Sequence, residues 1–164
     1  MAHIEQHLAD LQSPDVSVRS RAAESLCLAG QAAADGATAL VQACGDPAEA
    51  VQTWAVAALE DLGTPPLTQL SELQSLITAP DPLVAYWAIT LCGRLELEAK
   101  RCEPELIQML SSSSDTAVRE RAAWALGKIQ TTTPEGLAAL RRATESGSPR
   151  LARVAQTAGN EAEN

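Results

Sequence analysis

Two histidines, four cysteines and a run of four serines are the residues whose types could support metal or covalent chemistry. His3 and His7 stand four apart in HIEQH, a spacing that places both on one face of a helix. A zinc-binding HExxH segment needs its glutamate directly after the first histidine. Here Glu5 follows two positions on and faces away, and no third ligand is evident. The pair therefore reads as an exposed N-terminal helix face. Cys27, Cys44, Cys92 and Cys102 lie 17, 48 and 10 residues apart, with no CxxC pair. Cys27 and Cys44 fall near a common turn, and all four read as small hydrophobes in a reducing compartment. SSSSD at 111–115 is a turn, and without a histidine beyond residue 7 it has no triad to join. There is no Gly-rich phosphate loop. The expectation is a chain with no catalytic residues, no metal and no cofactor: not an enzyme.

What would position such residues follows from composition. Hydrophobic residues make up 46% of the 164, yet there is no Phe, one Tyr and three Trp, so the core must come from Leu, Val, Ile and Ala. Small side chains let helices approach closely and suit stacked helix pairs better than a β-sandwich. No apolar run approaches the roughly 18 residues of a membrane span. The start, MAHIEQHLAD, has neither the basic nor the apolar region of a secretory signal, so a cytoplasmic protein is expected. The formal net charge of −9 repels a phosphate backbone and argues against nucleic acid as the main partner.

The chain is periodic. Val18, Val51 and Val84 are 33 apart, Val118 follows after 34 and Leu151 after another 33. Ala22, Ala55, Ala88 and Ala122 lie four beyond the valines; Leu26, Leu59, Cys92 and Leu126 share the next offset, and Ala29, Leu62, Leu95 and Ile129 the one after. At about 100° per residue these positions form one apolar stripe. Each period holds a short first helix (3–12, 37–44, 67–78, 104–111, 134–145) and an Ala-rich second one (15–29, 48–62, 82–95, 116–129, 149–158). Turns rich in Pro, Asp and Ser join the two, and Gly30 and Gly63 end the first two units.

SPDVSVRSRAAESLCLAG, APDPLVAYWAITLCGRLE and SSDTAVRERAAWALGKI resemble HEAT repeats, and more narrowly the short HEAT-like repeats of the phycobilisome-lyase group. The resemblance implies an all-α, right-handed α-solenoid of about four and a half to five helix pairs. Its repeats would span about 3–30, 37–63, 67–96, 104–130 and 134–158, in a single array over 1–159 with a flexible tail at 160–164. The group's turn Asp followed four residues later by Arg is present as Asp15/Arg19 and Asp115/Arg119. It is lost where Ala48 and Gln52, or Asp81 and Ala85, stand instead, which predicts a polar ladder broken mid-array. Ankyrin and tetratricopeptide units have similar periods, but their signatures are missing.

Positions +2, +3, +6 and +10 from each valine point away from the stripe, and all four aromatic residues, Trp54, Tyr86, Trp87 and Trp124, belong to this set. The resemblance makes it the concave surface. Trp and Tyr are enriched at binding hot spots, so these residues are the candidate anchors, with Arg21, Arg94, Arg121 and Lys128 as charged contacts. The alternative for Trp54 and Trp87 is the seam between repeats, because +3 borders the stripe. The expected function is a non-catalytic scaffold, monomeric or weakly oligomeric, binding another protein or peptide. The phycobilisome-lyase resemblance allows a second class, a bilin lyase/isomerase subunit. A HEAT-like DNA-binding or repair protein is a third, set back by the negative charge.

Overall fold

The computed structural model of the protein describes residues 2–162 and is all-helical over them. Five helix pairs follow in order: α1 (Ala2–Asp10) with α2 (Val16–Ala29), α3 (Ala37–Ala43) with α4 (Glu49–Asp61), and α5 (Leu70–Leu76) with α6 (Pro82–Arg94). The last two are α7 (Glu103–Ser112) with α8 (Thr116–Lys128) and α9 (Pro134–Thr144) with α10 (Pro149–Ala162). Contacts gather into two compact units, residues 1–69 and 70–164. In the first, α2 packs on α4; in the second, α6 packs on α8 and α8 on α10.

The apolar stripe is the core. Leu26, Leu59, Cys92 and Leu126 are fully buried, and so are Ala55, Ala88 and Ala122. Alanine at these positions lets neighbouring second helices approach closely, while leucine at the next turn fills the gap to the first helix of the pair. Replacing a fully buried leucine such as Leu126 by Ala costs about 2–5 kcal/mol.

Helix starts follow the turn chemistry. Asp15 accepts from the Ser17 N–H at 2.7 Å, Asp81 from Leu83 at 2.8 Å, and Asp115 from Val118 at 2.9 Å. At α4 the cap position is Ala48, with no side-chain acceptor. There the acid has moved across the proline, from SPD to GDP. Asp46 accepts from the Ala48 N–H at 2.8 Å and from Arg19 Nε and Nη2 at 2.6 and 3.0 Å. Arg19 thus links the first repeat to the turn of the second, rather than serving its own turn aspartate. Gln52 donates to the Asp46 carbonyl at 2.7 Å, so a polar link is present at this turn, where the loss of the group's Asp–Arg spacing predicts a break.

Helix ends share a backbone device. Gly30 and Gly63 have φ of 53° and 76°, and at the corresponding places after α6 and α8 stand Glu96 and Gln130, with φ of 51° and 50°. The left-handed stop is therefore common to four repeats, and glycine supplies it in the first two alone.

Several expectations are corrected. The connections at 30–36 and 96–102 are 3-10 helices. Helix α10 runs to Ala162, so the tail expected from residue 160 is helical through 162, where Lys128 and Glu161 pair at 3.5 Å; residues 163 and 164 lie outside the described residues. A cysteine pair that the sequence reading did not single out is Cys92 and Cys102, with Sγ atoms 3.9 Å apart and buried. Their hydrogen bond and then burial push the Cys92 thiol far up, so it stays protonated.

Candidate partner-binding face

The predicted residues divide between the two units. In the first, Arg21 is exposed on α2 with its Nε donating to the Ser17 carbonyl at 3.2 Å, and Trp54 is half-buried on α4. The others, Tyr86, Trp87, Arg94, Arg121, Trp124 and Lys128, lie on α6 and α8 of the second unit, which makes the site of that unit alone.

Arg121 organises it. One turn of α8 separates Arg121 from Trp124, and α6 brings Tyr86 alongside. The guanidinium carbon lies 4.6 Å from the Tyr86 ring centroid and 5.0 Å from that of Trp124, and Nη2 donates to the Tyr86 hydroxyl. A cation held between two aromatic faces is attracted to both ring quadrupoles, and its planar fork loses little freedom there. All three side chains are half-buried, fixed on one side and open on the other. Gly93 makes the arrangement possible: a Cβ at that position would run into the Trp124 ring. Sequence reasoning had no signal for Gly93 beyond a glycine inside a helix, which is a hint of close packing.

Trp87 does not belong to the open face. It is 6% exposed, packed edge-to-face on Tyr86 with centroids 5.7 Å apart, and Arg94 lies over its ring at 5.8 Å. The cause is its offset at the edge of the stripe, on a helix whose Val84, Ala85, Ala88, Ile89 and Leu91 are also buried. Burial, and then repulsion from Arg121, hold the half-buried Arg94 guanidinium below the usual arginine range.

Three shallow clefts adjoin the sandwich. One of about 370 Å³ runs from Pro82 to Tyr86 and Ala117. A second, about 180 Å³, lies between Tyr86, Arg121, Trp124, Arg150 and Val154. The third, about 200 Å³, lies between Trp124, Arg153, Val154 and Thr157. Neighbouring clefts share lining residues, first Tyr86 and Ala117, then Trp124 and Val154, so they form one track across α6, α8 and α10. Arg150 and Arg153 on α10 extend the cationic set; the sequence reading missed them because α10 carries the most degraded copy of the pattern. Another cleft, about 300 Å³ between α9 and α10, holds none of the predicted residues. Among the described residues no three His, Cys, Asp or Glu side chains gather as a metal site, and no helix is long and apolar enough to cross a membrane.

Comparison with known proteins agrees with this architecture. A family model described as HEAT repeats matches residues 4–73 and again 70–158, dividing the chain where its contacts divide. Among curated proteins no sequence matches significantly. Similar solved structures include an engineered protein, 22% identical with a TM-score of 0.63 over 96% of this chain and 78% of that one. A designed armadillo repeat protein in complex with peptide (KR)4 is 18% identical, with a TM-score of 0.63 over 94% and 80%. The complex of CpcE and CpcF of phycocyanin lyase from Nostoc sp. PCC7120 matches at 24% identity and a TM-score of 0.67, over 97% of this chain and 64% of that one. At these identities the likeness is one of fold.

Proposed function

Because the chain belongs to the HEAT-repeat family, we propose that it is a non-catalytic interaction module that binds a protein or peptide on the α6–α8–α10 face of its second unit. The observation that carries this reading is the Tyr86–Arg121–Trp124 sandwich, half-exposed and set in a continuous track of clefts. Aromatic and arginine side chains are the usual anchors of a binding surface, and here they are ordered before any partner arrives, which lowers the entropic cost of association.

The test is the double variant Tyr86→Ala/Trp124→Ala. Both residues keep solvent on one side, so the pair is expected to lose only about 1–2 kcal/mol of stability, while capture of the wild-type partner drops by an order of magnitude or more. A folded variant that captures that partner as well as wild type does would move the site off this face.

A second reading is a bilin lyase/isomerase subunit, supported by the fold shared with the phycocyanin lyase complex and by cations that suit the carboxylates of a tetrapyrrole. Its signature is a shifted visible absorbance band when a bilin is mixed with the wild type and no shift with the double variant.

A further inference from the structure

The charge on this face has the opposite sign to that of the chain. Six cations lie on α6, α8 and α10; Arg119 turns away to the Leu110 carbonyl at 3.1 Å, which leaves Arg94, Arg121, Lys128, Arg150 and Arg153 for this face. Three carboxylates, Asp115, Glu120 and Glu161, line the same clefts, leaving a formal excess of two positive charges on a protein whose net charge is −9.

The carboxylates are also presented differently from the cations. Arg150 Nε lies 3.0 Å from Glu120, and the pair is asymmetric: the glutamate side chain is 12% exposed, the arginine 76%. Glu120 is thus largely withdrawn from solvent and neutralised, while the arginine that neutralises it stays exposed. Glu161 is engaged by Lys128 at 3.5 Å. Arg153 is exposed beside the cleft at Trp124.

We infer that this face recognises an acidic peptide segment in extended conformation, its carboxylates meeting Arg150, Arg153 and Arg121 and its intervening side chains entering the clefts. The inference rests on the binding-face reading above and adds the sign of the partner. Arginine forks match carboxylates in a planar, two-point geometry that lysine cannot reproduce. A field of one sign, set in a chain of the other, orients the ligand as it approaches. The same cations attract phosphate, but a single-stranded nucleic acid needs open ring faces on which bases stack. Arg121 takes one face of Tyr86 and one of Trp124, which leaves at most the outer face of each for stacking, on a chain whose net charge of −9 repels a longer phosphate backbone.

Calorimetric titration of the full chain with three octamers decides the matter: the acidic peptide (DE)4, the basic peptide (KR)4 and the oligonucleotide dT8. Saturable binding of (DE)4 is expected, weakening steeply as salt is raised, with no heat from (KR)4. The variant R150E/R153E, which also takes from Glu120 its cationic partner, should melt somewhat below wild type yet stay folded by circular dichroism at the titration temperature, and lose about tenfold or more in affinity for (DE)4. Binding of (KR)4 in place of (DE)4 overturns the assigned sign, and if Tyr86→Ala/Trp124→Ala abolishes that binding the face itself stands. Tighter binding of dT8 overturns the peptide in favour of nucleic acid. Silence of (DE)4 up to millimolar concentration, or (DE)4 binding that R150E/R153E leaves intact, also overturns the inference.

Discussion

The two units carry one backbone plan and two different surfaces. On the second helices of the first unit, positions facing away from the core hold Ser20, Arg21, Glu24 and a widely exposed Leu28, then Thr53, Trp54, Ala57 and Asp61. The equivalent positions of the second unit hold Tyr86, Trp87, Thr90 and Arg94, then Glu120, Arg121, Trp124 and Lys128. Helix ends diverge in the same direction: glycine makes the left-handed stop at Gly30 and Gly63, whereas Glu96 and Gln130 are forced into it later. The first unit stays nearer to what its backbone prefers. The second departs from that ideal, and it also holds the residues suited to binding. Repeats thus keep the scaffold uniform while individual units specialise.

The largest effect that would test this contrast concerns two tryptophans at one repeat offset. Trp87→Ala removes a nearly buried ring and is expected to cost about 3–5 kcal/mol. Trp54→Ala, on a half-buried ring, should cost less than half of that, as read from chemical denaturation. Equal losses would show that burial at this offset does not separate the units.

Next comes the ion pair that belongs to the first unit. The hydrogen bond from Arg19, aided by the Ala48 N–H, holds the Asp46 carboxyl below the usual aspartate range. A depressed native value means the stabilisation is present above the ordinary aspartate pKa of about 3.9 and is lost as pH falls through the native value. Asp46→Asn should therefore melt lower than wild type at neutral pH, with the two melting curves converging as the pH is taken down through that window. A gap that persists at acid pH would attribute the loss to something other than the carboxylate.

Smallest are the helix stops. A non-glycine residue at positive φ costs about 1–2 kcal/mol, partly offset by the chain entropy that glycine loses. Glu96→Gly and Gln130→Gly are each expected to stabilise by about 0.5–1 kcal/mol. Gly30→Ala, in open space but at φ 53°, should destabilise. If the glycine variants melt no higher, those two stops are held by contacts rather than strained.

How much of this was legible depended on whether the information was local. The stripe of Leu26, Leu59, Cys92 and Leu126 was, because helical periodicity alone decides which way those side chains point. Trp87 was not, because a position at the edge of a stripe is settled by the packing around it. Asp46 escaped because the pattern sought an acid after the proline, whereas here it precedes it. Helix α10 overran its expected end because the segment from Asn160 has little apolar to bury and so gave no local sign of helix, and the Lys128–Glu161 pair that accompanies the extension links residues 33 apart. The candidate anchors Tyr86, Arg121 and Trp124 were each named from sequence. Their stacking was not, since it depends on Gly93 leaving room for an indole.

That stacking also makes the protein its own optical probe. Trp87 sits in a dry environment and must emit toward the blue, unaffected by aqueous quenchers. Trp124, half-exposed and in contact with a guanidinium, emits nearer the red edge and is open to collision with iodide. With Trp54 replaced by Phe, emission collected at the red edge would follow Trp124 selectively. Occupancy of the face could then be read in unlabelled protein as a loss of quenching, while the blue component serves as an internal reference for folding.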